Sequence, residues 1–344
     1  MIKEGNFSLK KFPSSVTIHS YEKPAAKNDA KGESMENIKV DVIIPVYHPG
    51  KEFSVLLERL TEQTAVIHRI IAMNTEENYW NKELEQKYPL LEVHHLKKSE
   101  FDHGGTRAWA AELSDAEIMV FMTQDAVPAD RNLIENLVKA LEKEKMIAAA
   151  YARQLPNEMC SFAERYTRSF NYPEKSYVRT QRDLSLYGIK TFFCSNVCAA
   201  YKKEIYQELG GFVRKTIFNE DMIYAGKLIQ MGYGIAYAAD AKVIHSHNYS
   251  GKEQFKRNFD LAVSQVEYAE IFQSVPSENE GIRMVKKSAW ELIKMHRYFL
   301  IPQLVWQSGW KYLGYRTGKK YRKLPKKLIL KFTSNKNYWN KKES

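Results

Sequence analysis

Two hydrophobic periodicities alternate along the chain from Val40 onwards. Val40–Tyr47 is a nearly unbroken run of β-branched residues, which is typical of a parallel strand buried on both faces. Further strands are predicted at 67–73, 91–96 and 117–123, and helices at 52–63, 78–87 and 104–113. Strands that alternate with helices predict right-handed βαβ units. We therefore expect an α/β fold with a mostly parallel central sheet flanked by helices.

The pattern is less regular after Thr123. An amphipathic helix is predicted at 130–146, and a mixed, aromatic-rich stretch follows it. One helix starts near Lys202 and ends at Gly210, a second covers 220–231, and short strands are predicted at 235–238 and 242–245. Residues 1–38 are polar with little periodicity. We therefore expect a loosely ordered leader at 1–38, one α/β domain at 39–280 and a helical tail at 281–344.

The positive charge is confined to the tail. The whole chain has a formal net charge of +11, but residues 281–344 hold 17 Lys and Arg against 2 Glu, which leaves 35 basic and 39 acidic residues in 1–280. A nucleic-acid-binding protein with a uniformly basic surface would not divide in this way, so we expect no nucleic-acid partner.

Three cysteines are too few for a disulfide framework, which favours a reducing compartment. Residues 1–11 lack the apolar stretch of a secretory signal, and no run of about 18 apolar residues exists that could span a bilayer. The tail combines aromatic residues such as Trp290, Trp306 and Trp310 with many lysines. This combination is typical of an interfacial helix on an anionic membrane, although a helical pair packed on the α/β domain is about equally consistent with it.

Candidate site residues lie where strands end, because ligands of open α/β sheets bind beyond the carboxyl ends of the strands. The first strand ends in Pro45 and Tyr47, where a nucleobase could stack, and the second ends near Asn74. An ordinary strand exit and a solvated turn explain these residues equally well. The segment Phe101–Arg107 offers two glycines, a cation and a helix start that suits a diphosphate, although a helix start needs no ligand to explain it.

Three further positions carry acids or imidazoles. Asp125 follows an apolar strand and could bind Mg²⁺ or Mn²⁺, or it could cap the turn before Pro128. Asp221 opens a helix and could act as a general base, or it could simply complement the helix dipole. His245 and His247 alternate on an extended segment, so one or both could hold a metal, or both could be structural.

Taken together, these motifs occur in the order found in glycosyltransferase family 2, which the chain resembles over residues 38–250. The segments FDHGGTR, MTQDAVP, SNVCAAY, NEDM and HSHNYS look like those of bacterial rhamnosyltransferases that build O-antigens and streptococcal rhamnan chains. The resemblance implies a GT-A, Rossmann-like fold and an inverting transfer from a nucleotide sugar. It also implies that residues 39–280 form the catalytic domain.

The resemblance also implies roles for individual residues. Asp221 would be the catalytic base, with Glu220 positioning it, and Asp125 and His245 would hold Mg²⁺ or Mn²⁺. The family's D-x-D metal motif falls on Thr123–Asp125, so its first carboxylate is missing. The nucleotide-sugar-binding residues would be Pro45, Tyr47, Asn74, Arg107, Gln124 and Lys227.

The implied donor is dTDP-β-L-rhamnose, and the implied acceptor is a hydroxyl of a polyprenyl-diphosphate-linked glycan. Two alternatives remain open: a UDP-hexose donor, and a non-catalytic module that binds nucleotide sugars. We further expect a cytoplasmic protein, peripheral on the inner face of the plasma membrane, whose tail contacts anionic lipid or a second copy in a homo-oligomer.

Overall fold

The computed structural model describes residues 38–273, residue 275 and residues 278–341. The predicted leader therefore lies outside the described residues, apart from its last position. The described chain forms one nine-stranded sheet with helices on both faces, followed by a helical tail. The predicted α/β architecture and the helical C-terminal extension are confirmed.

The strands lie in the spatial order β3, β2, β1, β4, β8, β6, β9 and β5, with β7 paired to β9. Among the described residues, β1, β2, β3, β4, β6 and β9 run in one direction, while β5, β7 and β8 run against them. The strand bounds are β1 Val40–Tyr47, β2 Arg69–Thr75, β3 Leu91–Leu96, β4 Ile118–Met122, β5 Val127–Pro128, β6 Ile147–Leu155, β7 Tyr177–Arg179, β8 Cys198–Lys202 and β9 Gly234–Ile244.

Helices cover both faces of the sheet, which is why the β1 side chains Val42, Ile43 and Ile44 are fully buried. Helices α1 and α4 pack on one face, and α3, α7 and α8 pack on the other. The helix bounds are α1 Lys51–Thr61, α2 Glu83–Lys87, α3 His103–Leu113, α4 Leu133–Glu142, α5 Phe162–Asn171, α6 Leu184–Tyr187, α7 Lys203–Glu208, α8 Glu220–Gln230, α9 Gly251–Glu267, α10 Ala269–Phe272, α11 Glu278–Lys294, α12 Ile301–Gly318, α13 Lys326–Phe332 and α14 Lys336–Lys341.

Five strands differ from the sequence prediction, since β5, β7 and β8 were not predicted either. Strand β6 was not predicted, because its IAAAYARQL sequence is rich in alanine, a poor strand former. It pairs with β8 in the buried centre, where Ala150 lies opposite Ala200. The two short strands predicted at 235–238 and 242–245 are one strand, β9. Its pairing with β6 shifts between Ala238 and Lys242, and this irregularity interrupts the hydrophobic alternation.

The tail packs closely on α9. Gly314 and Gly318 of α12 lie against the backbone carbonyls of Phe255 and Phe259, where a Cβ atom would clash. The chain then returns through α13 and α14 and buries Trp339 with Phe259 in a third hydrophobic cluster. No helix within the described ranges is long and apolar enough to cross a membrane.

Candidate active site

Two adjoining cavities lie beyond the carboxyl ends of β1, β2 and β4. The first, here the Tyr47 cavity, has a volume of about 540 Å³, and the second, here the Asp221 cavity, has a volume of about 510 Å³. His103, Phe218 and Arg257 line both, so the two form one cleft. Desolvation lowers the pKa of His103 to about 4, which keeps a neutral imidazole at the junction.

The Asp221 cavity brings together residues that are far apart in sequence. Asp125, which follows β4, His245, which follows β9, and Asp221, at the start of α8, all line it. The sequence interpretation depended on these three side chains meeting in one cleft, and the fold places them there.

His245 and His247 face Asp125. The Nε2 atom of His247 lies 3.0 Å from Asp125 Oδ2 and 3.0 Å from His245 Nε2, and His245 Nε2 lies 3.6 Å from the same carboxylate oxygen. The three ligand atoms converge closely enough to share one ion. Ligands of an octahedral ion with bonds of about 2.1 Å are separated by about 3 Å, so the cluster fits a divalent cation.

The electrostatics of this cluster favour metal binding. Burial disfavours the charged form of Asp125, but the adjacent imidazoles of His245 and His247 outweigh it and lower its pKa. Burial also lowers the pKa of His245, so its imidazole is neutral near pH 7. An ionised carboxylate beside a neutral imidazole is the protonation state a metal site requires. His247 was considered in the sequence as half of a pair but was not selected; only the geometry adds it.

Gln154 orients His245. Its Oε1 atom accepts a hydrogen bond from His245 Nδ1 at 3.2 Å and another from Arg168, and its Nε2 atom donates to Ser195 Oγ at 3.1 Å. Because Nδ1 carries the proton, the lone pair of Nε2 points towards Asp125. Gln154 lies on β6, the strand that the hydrophobic pattern did not reveal, and no sequence signal identified it.

Asp221 is held by main-chain amides. Its Oδ2 atom accepts from the amide of Asn196 at 3.0 Å, and its Oδ1 atom accepts from that of Met222 at 2.8 Å. Burial and the neighbouring Glu220 raise its pKa to about 7, against the lowering effect of these bonds and of Arg107. A carboxylate with such a pKa is suited to accept a proton at neutral pH.

Arg107 is engaged by Glu220. Its Nη1 atom lies 3.2 Å from Glu220 Oε1 and donates to the carbonyl of His103 at 3.0 Å. Both side chains of the ion pair are only 7% exposed, and Asn196 Nδ2 also donates to Glu220. Arg107 lines the cavity, but its charge is balanced inside the protein. The contact of Arg107 with a diphosphate stays a prediction, and the ion pair with Glu220 is what the structure shows for this side chain.

The start of α3, where a diphosphate site was predicted, is capped from within the chain. The carboxylate of Asp102 caps this helix and accepts from the amides of Gly104 and Gly105 at 3.0 Å each. The glycines have a packing reason, since a Cβ at Gly105 would lie 2.6 Å from the carbonyl oxygen of Arg214, and one at Gly104 would overlap that of Val213. An anion has no free helix terminus to bind there.

The Tyr47 cavity is lined by the exposed ring of Tyr47, whose hydroxyl accepts from Lys98 Nζ at 3.0 Å. Gln124 fixes this end of β1, because its side-chain amide exchanges two hydrogen bonds with the Tyr47 backbone, at 2.7 and 3.0 Å. Gln124 is thus a support for the cavity wall. Pro45 is half-buried within β1 and is absent from the lining of both cavities.

Asn74 and Lys227 do not lie where the sequence interpretation put them. Asn74 is fully buried, and its Nδ2 atom bonds His95 Nδ1 at 2.9 Å, so the neighbouring Thr75 lines the Tyr47 cavity instead. Lys227 donates to the carbonyl of Leu209 at the end of α7 and lines neither cavity. Asn74 points away from the cavities because side chains alternate between the two faces of β2. Lys227 points away because of its position around the axis of α8.

The tail contributes to the Tyr47 cavity. Residues 333–337 line it, and Asp260 of α9 anchors them by accepting from Thr333 Oγ1 and the amide of Ser334, at 2.7 Å each. Four cations also line this cavity: Lys98, Lys256, Arg257 and Lys336. The sequence did not indicate that the tail reaches the site.

A second cluster with metal-ligating groups, formed by Asp41, His68 and Asp115, is an ion-pair network. Arg69 Nη2 lies 3.2 Å from Asp41 and also contacts Asp115, and Ser114 Oγ donates to Asp41 at 2.7 Å. The guanidinium already supplies the positive charge that a metal would bring.

Comparisons with known proteins show which family and which relatives the chain resembles. Residues 41–210 match the sequence profile of glycosyl transferase family 2. The chain is 37% identical over 305 residues to the O-antigen chain rhamnosyltransferase RfbN of Salmonella typhimurium, covering 88% of this chain and 96% of that protein. It is 34% identical over 305 residues to the O-antigen chain rhamnosyltransferase WbaN of Salmonella anatum, covering 87% and 95%.

Solved structures share the fold. The mannosyltransferase PcManGT from Pyrobaculum calidifontis, in complex with GDP-Man and Mn²⁺, superimposes with a TM-score of 0.52 at 16% identity, over 88% of this chain and 83% of that one. Residues 1–349 of TarS from S. aureus give a TM-score of 0.50 at 14% identity, over 83% and 92%. These likenesses confirm the predicted GT-A architecture.

Proposed function

Because this chain belongs to glycosyl transferase family 2, we propose that it is an inverting rhamnosyltransferase of surface-polysaccharide synthesis. The observation that carries the proposal is the gathering of a cation site and a carboxylate of raised pKa in one cavity. The choice of rhamnose as the transferred sugar is supported by the 37% and 34% identities to two O-antigen chain rhamnosyltransferases. The proposed donor is dTDP-β-L-rhamnose.

The Tyr47 cavity is the proposed nucleotide site. It offers an exposed aromatic ring for the base and four cations for the diphosphate. Among the described residues that line it, only Asp260 has a carboxylate, and the tail occupies this group. The adjoining Asp221 cavity then receives the sugar. The diphosphate would then extend from the Tyr47 cavity into the Asp221 cavity, past the residues that line both: His103, Phe218 and Arg257.

The mechanism is a single displacement. The Asp221 carboxylate takes the proton from an acceptor hydroxyl while that oxygen attacks the anomeric carbon, and the bond from this carbon to the diphosphate breaks. Glu220 and Arg107 hold Asp221 in place through Asn196. A divalent cation held by Asp125, His245 and His247 would balance the charge that develops on the leaving diphosphate. The β-linked donor yields an α-linked rhamnoside.

The three metal-ligand atoms of this cluster favour Mn²⁺ over Mg²⁺. Mg²⁺ prefers oxygen ligands throughout, whereas two of the three ligand atoms here are imidazole nitrogens. His247 thus compensates for Thr123, which stands where the family usually has an acid. We expect Mn²⁺ to support transfer at lower concentration than Mg²⁺, as measured by titrating each ion into the metal-free protein.

The tail is the proposed membrane contact. Large apolar side chains on α11, α12 and the turn between them are half exposed or more, among them Trp290, Tyr298, Phe299 and Trp306. Lys286, Lys287, Lys294 and Arg297 lie in the same segment. Aromatic residues with a positive charge complement an anionic bilayer. We place the protein at the inner, cytoplasmic face of the plasma membrane, where a polyprenyl-diphosphate-linked glycan would be its acceptor.

Vesicle sedimentation tests this contact. Joint substitution Phe299→Ser and Trp306→Ser should reduce partitioning onto vesicles containing phosphatidylglycerol, whereas Leu186→Ser, which removes an equally exposed apolar side chain elsewhere, should not. Unchanged partitioning of the double variant overturns the membrane contact, and a change in its oligomeric mass alone assigns the patch to a homo-oligomer contact instead.

A donor assay tests the function. The wild-type protein is incubated with dTDP-rhamnose and a panel of UDP-hexoses, using as acceptor the lipid-linked glycan fraction of cells that lack this chain, and products are identified by mass. Addition of one deoxyhexose from dTDP-rhamnose supports the proposal. Exclusive use of a UDP-hexose overturns the donor, and nucleotide binding without turnover indicates a non-catalytic module.

A further inference from the structure

A third cavity, here the Gln307 cavity, opens beside the metal cluster. It has a volume of about 290 Å³ and lies between α5, the segment after β9 and the helices α9 and α12. It shares six lining residues with the Asp221 cavity: Glu164, Thr167, His247, Tyr249, Gln254 and Lys311. A ligand in the Gln307 cavity can therefore reach towards Asp221 without leaving the cleft.

Uncharged polar groups dominate the lining of this cavity. Gln254, Gln303 and Gln307 all contribute to it, and their side-chain amides form no hydrogen bond to any other residue in the described part of the chain. Each amide offers two donors and one acceptor oxygen. Unpartnered amides facing a cavity are suited to the hydroxyls of a sugar, which donate and accept in the same way.

The charges around the Gln307 cavity are largely balanced internally. Glu164 pairs with Arg168 at 2.7 Å, and Glu253 caps α9 by accepting from Ser250 at 2.7 and 2.8 Å. Lys311 is the remaining cation of the lining. This contrasts with the Tyr47 cavity and its four cations. The Gln307 cavity therefore selects a neutral, hydroxylated ligand over a nucleotide.

The position of the cavity agrees with an acceptor. Inversion requires the attacking oxygen to arrive on the face of the sugar opposite the diphosphate. The Tyr47 and Gln307 cavities adjoin the Asp221 cavity through different lining residues and share none with each other. The Gln307 cavity is also bounded by α12, the helix whose exposed Trp306 belongs to the proposed membrane contact. A glycan tethered to lipid would meet this cavity first.

We propose that the Gln307 cavity is the acceptor subsite, and that Gln254, Gln303 and Gln307 bind hydroxyls of the terminal sugars of the lipid-linked glycan. This assignment rests on the proposed function. Gln303 and Gln307 lie one helical turn apart on α12, so both amides can bind one glycan chain.

The test is the double variant Gln303→Ala/Gln307→Ala. Each lost hydrogen bond weakens binding by a few-fold, so the apparent KM for the lipid-linked glycan fraction should rise roughly 10-fold. The dissociation constant for dTDP in the presence of Mn²⁺ should not change, since these residues lie outside the Tyr47 cavity. Gln86→Ala, which removes an exposed amide from α2, is the matched control and should keep the wild-type KM.

Each outcome has one meaning. A raised acceptor KM with unchanged dTDP affinity and unchanged thermal unfolding supports the subsite. An unchanged acceptor KM in a variant of an active wild type overturns the subsite and leaves the glycosyltransferase assignment intact. Absence of transfer by the wild type with any donor counts against the proposed function itself. If the double variant unfolds early, the single variant Gln303→Ala, at an exposed position, takes its place.

Discussion

Asp125 and Asp221 line the same cavity, yet their environments shift their pKa values in opposite directions. Asp125 faces two imidazoles, whose proximity overcomes burial and lowers its pKa. Asp221 is half-buried beside Glu220, and desolvation raises its pKa to about 7 although two amides and Arg107 oppose the rise. One carboxylate is thus held as a permanent anion, and the other can exchange a proton near neutral pH.

Such a divergence separates two chemical roles within one cleft. The permanent anion suits a cation, and the titrating carboxylate suits proton transfer from a hydroxyl. The ion pair between Arg107 and Glu220 belongs to the second environment, because it places a second acidic side chain close to Asp221. The predictions below separate the two roles, from the largest expected effect to the smallest.

Asp221→Asn should reduce kcat by about 100- to 10,000-fold, because an amide cannot accept the proton of the acceptor hydroxyl. Affinity for dTDP should be retained, since Asp221 does not line the Tyr47 cavity. Single-turnover transfer and dTDP titration measure the two quantities. Asp240→Asn, at an exposed position, is the control and should keep the wild-type rate. A variant with more than about a tenth of wild-type kcat would exclude Asp221 as the base.

His247→Ala should weaken Mn²⁺ binding by at least about 10- to 100-fold, because it removes one of three ligand atoms and a hydrogen bond to Asp125. The measurement is Mn²⁺ titration followed by electron paramagnetic resonance. His94→Ala, which removes an imidazole bound to Glu92 on β3, should leave the affinity unchanged. Equal Mn²⁺ affinity in both variants would remove His247 from the metal site.

The pH dependence of kcat/KM should show an acid limb near pH 7. The folded-state pKa of Asp221 is raised to about 7, so the base is protonated and inactive below that pH and ionised above it. We expect the rate to rise about tenfold per pH unit below the limb and to level off above it. The profile is measured at saturating Mn²⁺. A flat profile down to about pH 5 contradicts this role for Asp221.

Gln154→Leu should have the smallest effect, a loss of about 10-fold in Mn²⁺ affinity, because it only frees the ring of His245 to rotate. The acid limb of the pH profile should remain near pH 7, since Gln154 makes no hydrogen bond to Asp221. Titration of Mn²⁺ together with the pH profile checks both statements. If the acid limb moved while the Mn²⁺ affinity stayed unchanged, Gln154 would act on Asp221 and not on the metal cluster, which would contradict the prediction.

The sequence predicted the part of the site that local rules determine. Strands β1 to β4 follow clear hydrophobic runs. Tyr47 ends β1 and Asp125 lies in the turn after β4, so their meeting at one edge of the sheet follows from the topology. Asp221 and His245 were identified in the same way, from a helix start and a strand end.

The remainder depends on long-range packing that local rules do not describe. Glycines that suggested a phosphate site are instead required by the backbone at Arg214, more than a hundred positions away. The tail reaches the Tyr47 cavity because Asp260 binds Thr333, a pair separated by 73 residues. Asn74 and Lys227 matched family positions, but the strand alternation and helical phase that turn them away became visible only in the fold.

The most direct test of this division of roles compares Asp125→Asn with Asp221→Asn in one experiment, measuring Mn²⁺ affinity and single-turnover transfer for both. We predict that Asp125→Asn loses Mn²⁺ affinity and recovers part of its transfer at high Mn²⁺, whereas Asp221→Asn binds Mn²⁺ like the wild type and stays inactive at every Mn²⁺ concentration. Loss of Mn²⁺ binding in Asp221→Asn, or rescue of its transfer by added Mn²⁺, would contradict the account.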